Sequence, residues 1–155
     1  MPQAAETVIA ALQASASFHL TAIENYQAQA EHFDRWGYSK LAAKFRADVE
    51  EEREHLHKVQ SRLEFYDVQP TCDRMEPEWP RHDFEGVLAA NLLLEMGAAE
   101  VERANILASR AVGDELSALI FADLLEGSED SIKQIEATQR VLEQIGLDNY
   151  LANQV

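Results

Sequence analysis

Residues 67–83, Asp67-Val68-Gln69-Pro70-Thr71-Cys72-Asp73-Arg74-Met75-Glu76-Pro77-Glu78-Trp79-Pro80-Arg81-His82-Asp83, hold three of the four prolines in the chain. Proline lacks a backbone donor and clashes with the preceding helical turn, so this stretch cannot be helical throughout. On either side of it, breakers are sparse. Toward the N-terminus, the spacing predicts a helix from Ser39, as N-cap, to about Tyr66. Ahead of it a first helix runs from about Ala5 to Arg35 and ends at Trp36-Gly37. Toward the C-terminus, a third helix runs from about Asp83 to Val112 and stops at Gly113. Asp114 caps a fourth, which continues to Ile145 before Gly146, and Leu147 to Val155 leave room for a short fifth. Short links join the helices within each pair, and one long link joins the pairs. The expectation is an all-α fold: a four-helix bundle with one long crossover and a short C-terminal fifth helix.

Apolar periodicity supports these boundaries. The first helix carries Leu12, Ala16, His19, Ile23, Tyr26, Ala30 and Phe33 on one stripe, and the second Leu41, Phe45, Val49, Glu52, Leu56, Val59, Leu63 and Tyr66. The third gives Leu88, Leu92, Glu95, Ala99, Glu102 and Ile106. The fourth gives Phe121, Leu124, Ser128, Ser131, Ile135, Thr138, Leu142 and Ile145. Steps alternating between three and four mark the seam of helices packed at small crossing angles.

The chain has 155 residues, enough for a single domain over 1–155 with a sizeable core. Its hydrophobic share of 46% is ordinary for a globular protein, and no apolar run is long enough to span a membrane. Met1-Pro2-Gln3-Ala4-Ala5-Glu6 lacks the basic start and apolar stretch of a signal peptide, which leaves the cytoplasm as the expected location. Cys72 is the sole cysteine, so no internal disulfide or thiolate cluster can form. With 28 acids against 13 bases, the net charge of −15 repels nucleic-acid backbones and attracts cations.

The informative residues are polar ones on the inward stripes. His19, Glu52 and Glu95 each interrupt an apolar seam near mid-helix, where antiparallel neighbours meet at one level, and His55 lies one turn beyond Glu52. A buried, unpaired carboxylate costs several kcal/mol, so such a group calls for a partner. Carboxylate oxygen with imidazole nitrogen suits iron, manganese or zinc. Singly, each residue has a plain reading: Glu52 as part of a solvated acidic run, His19 as a core histidine, Tyr26 as core rather than a redox neighbour. Glu95 is the hardest to explain so, set between Leu92-Leu93-Leu94 and Met96-Gly97-Ala98-Ala99. Glu102, in the polar run Glu100-Val101-Glu102-Arg103, reads as a rim acid.

Over nearly its whole length the chain resembles the bacterioferritins. The resemblance rests on Leu20-Thr21-Ala22-Ile23-Glu24-Asn25-Tyr26, Trp36-Gly37, Glu52-x-x-His55, Leu93-Leu94-Glu95 and, most specifically, Ile145-Gly146-Leu147-Asp148-Asn149-Tyr150-Leu151. It implies a ferritin-like bundle, a ferritin-type 24-subunit shell and a di-iron centre built from one Glu on each of two helices and a Glu-x-x-His on each of the other two. Here the second helix supplies Glu52, as bridging carboxylate, and His55, and the third supplies Glu95. The first helix has His19 in place of the family's Glu, and the fourth has Ser128-x-x-Ser131 in place of Glu-x-x-His. Glu129 and Asp130 are turned off that face. Arg53 stands where the family's haem-ligating Met would follow Glu52, so no haem is expected.

Taken with these departures, the resemblance implies an iron-storage shell subunit holding a single metal, iron or else manganese or zinc, at His19, Glu52, His55 and Glu95. Family ferroxidase activity, the oxidation of Fe(II) by O2, is expected to be weak or lost, and co-assembly with a competent subunit would supply it. Two alternatives stay open: a single-metal redox enzyme on this fold, and a structural shell subunit whose site has decayed. Phe65, Trp79 and Tyr150 suit either subunit contacts or ordinary packing.

Overall fold

Left-handed backbone at Gly37, with φ of 89°, ends one long run of good helix formers and turns the chain back on itself. In the computed structural model, which describes residues 5–75 and 83–155, that run is α1, Glu6–Arg35. It is followed by α2, Ser39–Phe65; α3, Phe84–Ala111; α4, Glu115–Ile145; and a short α5, Leu147–Ala152. Among the described residues all regular structure is helical. The predicted ends hold to within a residue or two. The Asp114 cap forms as the pattern predicts, accepting from Ser117 N, and Asp83, at the predicted start of α3, caps that helix by accepting from Gly86 N. Ser39 does not cap α2. It is the first helical residue, behind Tyr38, which makes no capping hydrogen bond.

The core has two large clusters, one at each end, and a small central one of Ala22, Tyr26 and Val49. One cluster gathers Ala30 and Phe33 of α1, Leu41 and Phe45 of α2, Phe84, Val87 and Leu88 of α3, and Ile135 and Leu142 of α4. The other gathers Val8, Leu12 and Ala16 of α1, Leu56, Val59 and Leu63 of α2, and Phe121 and Leu124 of α4. The end of α1 therefore meets the start of α2, the start of α3 and the end of α4. From this, α2 and α3 run parallel and their connection must travel the length of the bundle. It does so along α1: the Gln13 amide donates to Gln69 O, Thr71 N donates to Gln13 Oε1, and Met75 N donates to Thr21 Oγ1 at 2.8 Å. Pro77, Pro80 and Trp79 lie outside the described residues. Asp67 starts the crossover with φ of 58°, a conformation Asp tolerates better than most residues.

The tail folds back as well. Leu147, Tyr150 and Leu151 pack against the first cluster, Tyr150 stacks on Phe84, and Lys40 N donates to Gln154 O at 2.9 Å. Tyr150 is thus engaged within its own chain, whereas Phe65 is half exposed under the Arg62 guanidinium. Between the two apolar ends lies a polar waist. Its members are His19, Gln29, Glu52, His55, Asn91, Glu95, Glu102 and Ser128, all buried. Glu102 is not the rim acid that its polar run predicts. It is 3% exposed because its place on the α3 stripe outweighs its polar neighbours along the chain.

Candidate metal centre

His19 comes from the middle of α1, Glu52 and His55 from one face of α2, and the parallel register of α2 and α3 brings Glu95 to the same level. The Glu52 carboxylate sits between two imidazoles. His19 Nδ1 donates to its Oε2 at 2.6 Å, and His55 Nδ1 lies 3.9 Å from its Oε1. The two rings face each other with centroids 5.5 Å apart. Ligand-type atoms of His19, Glu52 and His55 all fall within 4.8 Å of one another, a spread that a single cation can bridge. His19 Nε2 is buried and has no hydrogen-bond partner, so one ring nitrogen is uncommitted.

Glu95 belongs to a neighbouring pair. The Tyr26 hydroxyl donates to its Oε1 at 2.5 Å, and Ser128 of α4 lies near enough to the carboxyl to favour its ionised form. Glu52 and Glu95 thus each have a donor of their own, Glu52 from His19 and Glu95 from Tyr26. A cation is not required to make their burial tolerable, contrary to what the cost of burying a lone carboxylate predicts. Their charge states nonetheless diverge. Burial pushes Glu52 up, but hydrogen bonds and charge from His19 and His55 win and bring it down to about 2. Burial and the nearby Glu52 charge drive Glu95 up to about 7, beyond what Tyr26 and Ser128 can offset. Burial next to these acids raises the Tyr26 hydroxyl well above its ordinary value. For His55, burial alone would lower the value, and Glu52 and Glu51 reverse it.

The fourth helix shapes the site by what it lacks. Ser128 is buried and Ser131 half-buried, and neither brings a carboxylate or imidazole. Gly127 sits directly under the His55 ring: a Cβ there would lie 2.6 Å from His55 Cε1. Glu129 and Asp130 point outward as the helical geometry requires, Glu129 pairing with Arg103 at 2.8 Å. Arg53 also faces solvent and pairs with Glu50.

Two buried features go beyond what the sequence pattern predicts. Gln29 and Asn91 exchange both amide hydrogen bonds at 2.9 Å between α1 and α3. Both sit one step off the apolar stripe, Gln29 between Tyr26 and Phe33, Asn91 between Leu88 and Glu95, so periodicity carries a signal for them. The other is the Asp114 cap, which also receives Arg62 at 2.7 Å and the Tyr66 hydroxyl. Nothing local in the sequence ties residues that far apart.

Comparison with known proteins agrees with this architecture. The ferritin-like domain of the ferritin family matches residues 9–145. Bacterioferritin from Brucella melitensis is 30% identical over 147 residues, covering 92% of this chain and 89% of the relative. Bacterioferritin from Rhodobacter capsulatus is 29% identical over 143 residues, 90% of this chain and 86% of its own length. Bacterioferritin from Mycobacterium bovis is 26% identical over 149 residues, 94% of this chain and 91% of its own. Two helical hairpins joined by a crossover along α1, a waist of carboxylate and imidazole, and a match spanning nearly the entire sequence have one reading: the chain belongs to the ferritin family, among the bacterioferritin-like members.

Proposed function

We propose that this chain is a subunit of an iron-storage shell that holds one metal ion in its waist and has lost the paired-iron ferroxidase chemistry of its relatives. The observation that carries this reading is the buried His19–Glu52–His55 group with an uncommitted imidazole nitrogen. The donor set, two nitrogens and a carboxylate, fits Fe(II), Mn(II) or Zn(II). A bound metal would supply Lewis-acid or one-electron chemistry.

The protein's own groups account for the rest. Glu52 is ionised across the physiological range and supplies the negative charge. His19, with a ring nitrogen free of any hydrogen bond, Glu52, with its carboxylate, and His55 would hold the cation. Burial and the Glu52 charge hold Glu95 up near 7, so a cation held at Glu52 would favour the ionised form of Glu95 and let that carboxylate join the ligand set. Tyr26 keeps Glu95 oriented by donating to Oε1. Oxidising Fe(II) in pairs needs shared carboxylates around two ions. Ser128 and Ser131 leave the second ion without its bridge and its imidazole. Iron is then the cargo of the shell, and a ferroxidase-competent bacterioferritin subunit in a mixed shell would do the oxidation. Arg53, where a haem-ligating Met would stand, leaves this subunit without haem.

Loading the purified protein with Fe(II) in air tests the reading. One tightly held metal per chain is expected, abolished in His19→Ala, together with slow oxygen-dependent oxidation. Native mass measurement after co-expression with a competent relative should show mixed shells. Iron confined to weak surface sites, with His19→Ala indistinguishable from wild type, would leave storage by this chain alone without support.

A second reading has its own observation. Because His19 hydrogen-bonds to Glu52 and Tyr26 to Glu95, each of these acids has a donor within the bundle itself. A purely structural subunit would assemble unchanged when Glu52 and Glu95 are both replaced by Gln.

A further inference from the structure

Beside the waist, and separate from the His19–Glu52–His55 group, a cavity of about 500 Å3 opens between α1 and α3. Its volume lies in the range of small-molecule sites. Its walls are apolar, drawn from Ala14, Phe18, Met75, Leu94 and Val101, and its buried polar atoms come from Ser15 and Glu102. The mouth carries Leu93, 71% exposed, and Val101, 54% exposed, one helical turn either side of Gly97. Such a face is out of place on the outside of a chain with a net charge of −15.

The polar end is unfinished. Glu102 is 3% exposed, and its one hydrogen bond within the described residues is a long contact of 3.5 Å from the Asn105 amide. Ser15 is 5% exposed, and its Oγ makes no hydrogen bond of proper geometry, although it lies close enough to favour the ionised form of Glu102. The fold has already removed this carboxyl from water, so an incoming positive group regains the Coulomb attraction without a second desolvation of the acid. One carboxyl and one hydroxyl are too few ligands for a divalent metal, and the apolar walls add none. A single ammonium, with three donors, matches one carboxylate and one hydroxyl.

We infer that this cavity binds a small cationic amphiphile, a primary alkylamine or arylalkylamine, with its ammonium on Glu102 and Ser15 and its hydrocarbon against Phe18, Leu94 and Val101. The acidic surface concentrates such cations around the protein before they dock. The site does not depend on a metal in the waist.

Calorimetric titration of the assembled protein with n-octylamine, 1-octanol and octanoate tests it. Octylamine should bind saturably, with the alcohol weaker by about tenfold or more and octanoate undetectable. Glu102→Gln should weaken the amine by about tenfold or more and leave the alcohol nearly unchanged. Gly97→Leu provides the second arm. A Cβ at Gly97 meets nothing within 4 Å, so the variant is expected to fold, checked by its helicity, with leucine set in the cavity wall, and it should abolish binding. Amine binding that survives Gly97→Leu belongs to the acidic surface and overturns the proposal. Equal affinity for amine and alcohol, or no binding at all, overturns it as well. A density map of the amine complex should place the ligand between α1 and α3.

Discussion

Glu52, Glu95 and Glu102 share a residue type and a depth of burial, yet one is held at about 2 and the others at about 7. The difference lies in the partner: two imidazoles for Glu52, the neutral Tyr26 hydroxyl for Glu95, a distant amide for Glu102. These partners set the sign of the pH dependence. Glu52, lowered from its ordinary 4.5, stabilises the fold above that pH, and its contribution is lost as pH falls toward 2. Glu95 and Glu102, both raised, favour the fold while protonated, and their contribution is lost as pH rises from 4.5 through about 7. The metal-free protein is therefore expected to resist denaturant best near pH 5 and to weaken toward pH 8. Urea titrations across that range check this, and Glu95→Gln with Glu102→Gln should flatten the slope. Glu102→Leu should stabilise by about 1–3 kcal/mol at pH 8, because it removes an ionised carboxyl with little hydrogen bonding. The inward direction of Glu52 and Glu95 is legible from periodicity. Glu102 carries the same signal, but its charged neighbours Glu100 and Arg103 mask it. The pairing of Tyr26 with Glu95 is not legible, since it depends on the register between two helices 69 positions apart.

At the level of elements, α4 is held at its start by one residue with several duties. Asp114 caps the helix and accepts from Arg62, Ser117 and Tyr66, all in a partly buried corner. Asp114→Ala should cost about 3–5 kcal/mol, more than a cap alone, because Arg62 is left with an uncompensated charge. Thermal denaturation would register this, and a loss near 1 kcal/mol would show that only the cap mattered. Gly127 sets the opposite case. Alanine at a helix interior is favourable by about 1 kcal/mol, but here its methyl would collide with His55. Gly127→Ala should keep or raise the melting temperature while weakening metal binding in the waist by about tenfold, read by competition with a coloured chelator. Helix bounds are legible because breakers and stripes coincide. The cap of α2 is the exception: the tight turn at Gly37 leaves Tyr38, not Ser39, in the capping position.

At the scale of the whole molecule, a group of exposed apolar side chains lies beyond the cavity mouth. Leu107 is 70% exposed, Val112 51%, Leu116 61% and Leu119 52%, around the link between α3 and α4. In a shell-forming subunit such a cluster is expected to be covered by a neighbour. Leu116→Glu combined with Leu119→Glu should give species smaller than the wild-type assembly by native mass measurement, with helicity unchanged. No helix among the described residues is long and apolar enough to cross a membrane. The connectivity of the molecule is legible from the prolines of the crossover. Its path along α1 is not, because it is fixed by hydrogen bonds to Gln13 and Thr21 that no pattern announces.

The separation of the apolar core into two ends has a practical consequence for redesign. Distant sites contribute to stability nearly independently, so substitutions in the Phe33–Phe45 end and in the Leu12–Leu63 end can be combined without disturbing the layer between them. A strengthened scaffold of that kind could carry Ser128→Glu and Ser131→His together. Those two replacements would add a carboxylate and an imidazole to that layer, and any loss of folding would report on the middle of the molecule alone.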